Sequence, residues 1–432
     1  MLPPTTVTDV LARERVVTPR VRRLDLVCTL LLLIAMHLEP RMRLRDVLRT
    51  LLHTARLQQE VPDPVPGDSA ICYRRQQLGG RPLVALYHQV AQPLATPRTP
   101  GAFLGAYRLV TLDGTTFALP DTPALRRTYG SSANQHGAGS YPHLRAVLLV
   151  ECGTHAILDA GCWPYAVGEP TGAHRLVRSL TPDMLVLLDC GLHSYDLLTA
   201  IQAQGAHVLG RIASNRTVQK QTVLPDGSWL VDLWPPDQGG SRHLPPLRLR
   251  LIEYTIDDPQ ADGQVYRVLT TLLDADAYPA HTLAVTYHER WEGESTLDEV
   301  KTHLDLPQQP FRSQTPLGVV QEFYGLVLAH YLVRALMHAS AVEADLDPDR
   351  LSFVHAVRVL RRYLSDAQRL PLAAVAHLGR RLRAELREQW VPPRRDRANP
   401  RCVKRARSSF PMNRTRAPGR LRRPFAELIQ LI

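Results

Sequence analysis

Between Tyr107 and Ile212 the chain alternates short apolar runs with amphipathic segments, in an order that leaves few folds open. "YRLVTLD" (107–113), "HLRAVLLVECG" (143–153) and "HAILDAGCW" (155–163) have the length and aliphatic density of strands, with turn residues between them. "GEPTGAHRLVRSL" (168–180) then reads as a helix and "DMLVLLDCG" (183–191) as a buried strand. "SYDLLTAIQAQG" (194–205) is a helix stopped by Gly205, and "HVLGRI" (207–212) is a further strand. Three strands joined by turns, followed by helix-strand alternation, predict an α/β fold: a mixed sheet flanked by helices.

The flanks differ in character. Residues 1–100 read as a helical domain, with "RRLDLVCTLLLLIAMHL", "RLRDVLRTLLHTARLQ" and "RPLVALYHQVAQPLA" as helices punctuated by Pro62, Pro64, Pro66 and Gly67. Residues 213–280 carry short strand-like runs and turns, including "LRLRLIEYTI" and "QVYRVLTTLL", and read as a β-rich insertion. The sheet domain is therefore expected over 101–212 plus 281–345, closing on the apolar helix "LGVVQEFYGLVLAHYLVRALMHA". Residues 346–432 are expected to be helical and then arginine-rich. Of the 432 residues, which carry a net charge of +11, the stretch from Arg380 to Arg423 holds sixteen Lys/Arg against three acids; 36 bases and 38 acids remain elsewhere. The excess is local and suits a polyanion such as nucleic acid. Six scattered cysteines fit a reducing, cytoplasmic compartment. The apolar run Leu26–Leu38 is too short to span a bilayer and reads as a buried helix, so no membrane partner is expected.

Two acids stand where buried strands end: Asp113 closes "RLVTLD" and Asp189 closes "MLVLLD". Acids there often serve turns or helix caps, as Asp159 in "ILDAG" is expected to do. However, side chains at the carboxyl edge of adjacent parallel strands also face the usual ligand crevice. Two carboxylates that close repel unless a cation lies between them. A third acid comes from "YHERWEGESTLDEVK" (287–301). On a regular helix Tyr287, Arg290, Glu294 and Lys301 share a stripe about 60° wide. Glu289, Glu292 and Glu299 would point away as a solvated face, with Asp298 just off the stripe. Three carboxylates favour Mg²⁺ or Mn²⁺ over zinc, and paired ions suit phosphoryl transfer. Arg290 and Lys301 could instead pair along the helix with Glu294 and Asp298.

Other chemistries fit poorly. The Cys-x₂-His spacings Cys152/His155 and Cys190/His193 fall at opposite edges of the expected sheet, so they cannot share a zinc ion. There is no Gly-x-Ser-x-Gly sequence and no phosphate-binding Gly-rich loop.

The spacing Tyr-x₂-Arg-x₃-Glu-x₆-Lys at Tyr287, Arg290, Glu294 and Lys301 resembles the signature of the DDE transposases of the insertion-sequence-four family. "LDGTTFALPDTP" and "LLDCGLHSYDL" are similar to that family's first and second acidic blocks. The resemblance implies a ribonuclease H-like fold. It also implies catalytic, metal-binding acids at Asp113, Asp189 and Glu294, two Mg²⁺ ions that Mn²⁺ may replace, and a synaptic homodimer on DNA. The implied reaction is cleavage at the ends of an insertion sequence and strand transfer into target DNA, in a bacterial cytoplasm. DNA contacts are expected from Tyr287, Arg290 and Lys301. Trp291 suits either base stacking or the core. Where the family carries Arg and an aromatic after the second acid, this chain has Cys190 and Leu192. A catalytically weakened or domesticated DNA-binding descendant is therefore the alternative.

Overall fold

The computed structural model describes residues 4–16, 24–56, 64–134, 137–139, 141–213, 216, 218–235, 244–257, 264–304, 309–367, 372–392, 397–398, 419–420 and 424–431. Five helices come first: α1 (Pro4–Arg13), α2 (Leu26–Ala35), α3 (Leu44–Arg56), α4 (Asp68–Leu78) and α5 (Arg81–Val90). Next come β1 (Phe103–Leu104), β2 (Tyr107–Ala118), α6 (Pro123–Tyr129), β3 (Ala133–Asn134), β4 (Gly137–Ala138), β5 (His143–Glu151) and β6 (Ile157–Pro164). The alternating part is α7 (Glu169–Leu176), β7 (Met184–Leu188), α8 (Tyr195–Ala203) and β8 (His207–Arg211). Four insertion strands follow: β9 (Gln219–Val223), β10 (Trp229–Leu233), β11 (Leu247–Ile256) and β12 (Tyr266–Thr270). The chain continues through α9 (Ala280–Tyr287), α10 (Trp291–Asp298), α11 (Pro316–Val342), α12 (Phe353–Ala367) and α13 (Leu372–Leu386). It closes with β13 (Arg397–Ala398), β14 (Gly419–Arg420), α14 (Phe425–Leu428) and β15 (Ile429–Leu431).

Local chemistry sets many of these boundaries. Asp25 caps α2 by accepting from the Cys28 amide at 2.6 Å. Thr122, Ser194 and Thr315 cap α6, α8 and α11 in the same way, and α6 and α11 each start on a proline. The main sheet runs β6-β5-β2-β7-β8-β12-β11-β10-β9, with β1 beside β2 and β15 beside β11. It is mixed: β2–β7 and β7–β8 are parallel, whereas β5–β6 and every pair from β8 through β12 to β9 are antiparallel. This is the mixed α/β sheet flanked by helices expected from the strand-helix order, and the ribonuclease H-like fold that the resemblance implies. The β-rich insertion continues the sheet outward from β8.

The chain divides into two compact units. One comprises 1–100, 113–176 and 293–390, and the other 101–112, 177–292 and 391–432. In the first, the N-terminal helices share one interior with β5, β6 and the 27-residue α11. The buried Tyr87 hydroxyl donates to the Ile157 carbonyl (2.9 Å) and Tyr324 to that of Ala160 (3.1 Å). Although α11 is long and apolar enough to cross a membrane, it packs against α2, α5, α12 and α13, and most of its residues are buried. The run Leu26–Leu38 is likewise a core helix. Gly325 lets α11 approach α2, because a Cβ there would meet the backbone carbonyl of Leu33. Asp159 departs from expectation. It lies inside β6, is 1% exposed and has His88 Nδ1 at 3.7 Å, so it is a buried strand residue whose Oδ1 accepts from the Ala160 amide at 2.7 Å. The hairpin β13–β14 flanks the arginine-rich stretch, most of which lies outside the described residues together with Cys402.

Candidate active site

Strands β2 and β7 pair in parallel from Arg108↔Met184 to Leu112↔Leu188. The residue following Leu112 is Asp113 and the residue following Leu188 is Asp189. The register therefore brings both strands to an aspartate at the same level. Asp189 follows the end of β7 as expected, whereas β2 does not close at Asp113 but continues through it to Ala118, so this acid lies within a strand just beyond its last parallel pair. Asp113 is half-buried and its Oδ1 accepts from the Gly114 amide at 2.8 Å; Asp189 is exposed. Gly114 packs against the Glu169 side chain at the start of α7, which sets a further carboxylate beside the Asp113 segment. Sequence spacing gave no signal for Glu169, which lies more than fifty positions along the chain.

The charged run is not one regular helix. After α9 comes a 3₁₀ turn, His288–Arg290, then α10, then a π-helical stretch, Glu299–Leu304. Each break changes the angle per residue, so the uniform 100° projection fails for part of the run. Glu292 (7% exposed) and Glu299 (2%) are buried, contrary to the solvated face expected for them. Asp298 is exposed and accepts from the Thr302 hydroxyl at 2.8 Å. Glu294 is half-buried.

The signature residues attach this run to the two acidic strands. In one unit the Tyr287 hydroxyl donates to the Leu188 carbonyl at 3.2 Å, one residue before Asp189. Burial first, and then the Asp189 carboxylate, push the Tyr287 phenol above its ordinary range against the opposing pull of Arg290. The hydroxyl expected to meet phosphate is thus turned to a protein carbonyl. Arg290 is buried with its guanidinium 5.1 Å from the Trp291 ring centre, and Trp291 is 44% exposed, outside the core. In the other unit Lys301 Nζ donates to Thr115 Oγ1 at 3.0 Å, two residues after Asp113, and lies 5.9 Å from the Phe117 ring centre. Lys301 is therefore bonded to the strand segment, and the expected helix pair with Asp298 is not its partner.

Glu299 is the centre of a buried charged cluster. Arg334 of α11 grips both its oxygens, with Nε to Oε2 at 2.9 Å and Nη2 to Oε1. His330 Nε2 lies 3.0 Å from Oε2 and His155 Nδ1 3.2 Å from Oε1. His155 Nε2 faces Asp349 Oδ1 at 3.3 Å. Burial alone would raise the Glu299 pKa; Arg334 first, then His155, hold it well below the usual carboxylate range. Burial lowers the pKa of His330 against the opposing pull of Glu299. Both ring nitrogens of His155 face carboxylates, which leaves the Cys152/His155 spacing no role as a zinc pair.

Residues 104–332 match the profile of the transposase DDE domain, and residues 1–88 that of the insertion element 4 transposase N-terminal region. The chain is a DDE transposase of the insertion-sequence-four family. Over 419 residues the transposase is 28% identical to transposase InsG for insertion sequence element IS4 of Escherichia coli (strain K12), covering 95% of this chain and 92% of that protein. A cryo-EM structure of the piggyBac transposase synaptic complex with hairpin DNA has a TM-score of 0.43 at 13% identity, covering 90% of this chain and 81% of that one. DDE transposases cleave DNA and transfer its strands, and the family uses divalent metal. Where this transposase departs from the family after Asp189, Leu192 is 2% exposed, so that position is filled by a core aliphatic side chain and offers no stacking surface.

Proposed function

We propose that Asp113, Asp189 and Glu294 are the metal-ligating, catalytic acids of this transposase, and that they hold two Mg²⁺ ions, which Mn²⁺ can replace. The observation that carries the proposal is the β2–β7 register, whose last parallel pair, Leu112↔Leu188, is followed on each strand by an aspartate. The donor set fits such ions: all three groups are carboxylates, hard oxygen donors with no thiolate or imidazole among them. When bound, the metals supply an activated nucleophile and stabilise the leaving oxygen in an in-line displacement at phosphorus. The chain's own groups do the positioning. Arg290 can grip a phosphate by a two-pronged fork, and Lys301, which donates to Thr115 beside Asp113, contacts one as a point charge. Trp291 is exposed and can stack on an unpaired base. Tyr287, through Leu188, steadies the strand end that carries Asp189.

The reaction we infer is hydrolysis at the ends of an insertion sequence, followed by attack of the freed 3′-hydroxyl on target DNA, a cut-and-paste transposition. The test is Mg²⁺-dependent cleavage of a linear duplex carrying the element's end. Asp189→Ala and Glu294→Gln should lose at least about a thousandfold, whereas Asp298→Asn on the exposed side should cut normally. A wild type no faster than Asp189→Ala would overturn the assignment. Two ends must be held together, so a homodimer forms on DNA; sedimentation at the mass of a single protomer bound to a single duplex, with no two-protomer complex, would refute this. The helical first hundred residues carry end recognition. Equal affinity for cognate and scrambled ends after substitutions confined to the catalytic segments would count against it. The enzyme works on DNA in the bacterial cytoplasm, which cell fractionation would check.

A further inference from the structure

We infer that Glu299, absent from the signature, is a positioning residue that sets Lys301 against the Asp113–Thr115 segment of β2; the inference rests on the phosphate-contacting role proposed for Lys301. Glu299 opens the π-helical stretch on which Lys301 lies two residues later. A π turn has poorer hydrogen-bond geometry than an α turn and persists only where outside contacts fix it. The contacts here are the Arg334 fork, His330 and His155, which come from two other parts of the unit, α11 and the turn between β5 and β6. Val300 and Leu304 are buried on the same stretch and would be satisfied by any apolar packing. A charged hub is different, because its partners accept only one arrangement. Apolar replacement of such a hub is often neutral for stability, so its worth lies in the geometry it specifies.

That geometry ends on the site. Lys301 reaches Thr115, two residues beyond Asp113 on the same strand. His155, which holds Glu299 from the far side, has the left-handed backbone φ of +58° that few side chains tolerate, in the turn joining β5 to β6. A shift of the π turn by a few tenths of a turn would carry Lys301 off Thr115. Displacement of a positioning group by about 1 Å costs on the order of 100-fold in rate.

The experiment uses the full-length protein, a duplex carrying the element's end, and two readouts. In EDTA, the slope of log affinity against log salt counts phosphate contacts, at about 0.9 per contact. Lys301→Ala should lower that slope by about 0.9. Glu299→Gln, which keeps shape and removes charge, should lower it by the same amount, and the double variant should lower it no further. With Mg²⁺, Glu299→Gln should cut roughly 100-fold more slowly. A slope left at the wild-type value overturns the inference, whether or not cutting slows, and so do losses that add in the double variant. If Glu299→Gln alone fails to fold, Glu299→Gln/Arg334→Met removes both charges and is read against the same slopes. The slope arm needs no cleavage. An inactive wild type would sink the metal-site assignment while the Glu299–Lys301 coupling is still decided.

Discussion

Helix α9 leads directly into the charged run, yet it starts on Pro279 with no capping side chain of its own. Its cap comes from the insertion. Asp226, in the turn between β9 and β10, accepts from the Ala280 amide at 2.8 Å through Oδ2. Arg250 of β11, whose side chain is fully buried, pairs with that same carboxylate and also donates to Ser228 Oγ (2.7 Å) and the Tyr278 carbonyl (2.7 Å). Arg250→Met should therefore do more than delete a charge. It strips the Ser228 hydroxyl and the Tyr278 and Asp274 carbonyls of a donor and leaves the Asp226 carboxylate, 18% exposed, without its Arg250 counterion. Removing one partner of a buried pair costs about 3–5 kcal/mol, and the lower end applies to a carboxylate with some water access. In a unit of 150–250 residues about 3 kcal/mol lowers the melting temperature by roughly 6–12 °C. Asp226→Asn keeps an acceptor for Ala280 and should cost less, about 1–2 kcal/mol. The double variant should lose well under the sum of the two single losses, because the residues share one network. Thermal unfolding followed by circular dichroism measures all three. A loss below about 1 kcal/mol for Arg250→Met, or strict additivity, would refute the remote-cap argument.

Burial first, then Arg312 and Arg75, lowers the His37 pKa to about 3, below its unfolded value near 6.5. The unfolded chain therefore binds more protons between those values and stability falls with acidification. His37 alone should cost about 2 kcal/mol from pH 7.5 to pH 5; a His37→Gln variant with an equally steep pH dependence of melting would contradict this. Gly325→Ala, which at an open helix site would gain up to about 1 kcal/mol, should instead lose about 1–3 kcal/mol against the Leu33 carbonyl. Neutral or raised stability in urea unfolding would mean that α2 and α11 can part freely. The C-terminus is tied down, since β15 pairs with β11 and Phe425 stacks on His288 at 3.9 Å. Removing 399–418 should therefore preserve melting while reducing the salt slope on non-cognate DNA, by up to about 5 for the six bases it contains; an unchanged slope by fluorescence anisotropy would exclude the stretch from binding.

Much of this was legible before any coordinates. A strand that is buried on both faces must be continuously apolar, so "MLVLL" and "RAVLLV" announce themselves. An acid that ends such a run is visible because it breaks it, as Asp113 and Asp189 do. Caps at Asp25, Thr122, Ser194 and Thr315 act within three residues and are local by nature. Asp159 was misjudged because "ILDAG" has the composition of a strand end, whereas the strand continues through it and buries the carboxylate near His88. Glu292 and Glu299 were misjudged because projection onto a regular helix assumes one angle per residue. The 3₁₀ and π segments on either side of α10 alter that angle.

The sequence by itself determined the α/β class, the order of strands, the acids that close their apolar runs, the apolar core helix α11 and the four-residue signature. All of these are periodic or nearest-neighbour signals, written within one or two turns of chain. Tertiary structure alone decided that β2 and β7 are parallel neighbours in a register that levels Asp113 with Asp189. It alone made Asp226 the cap of a helix 54 positions later, and joined Glu299 to His155 across 144 positions. Those contacts depend on which surfaces meet when the core closes. Burial then turned charged side chains that local patterning sends to solvent into the buried groups that hold the charged run in its shape.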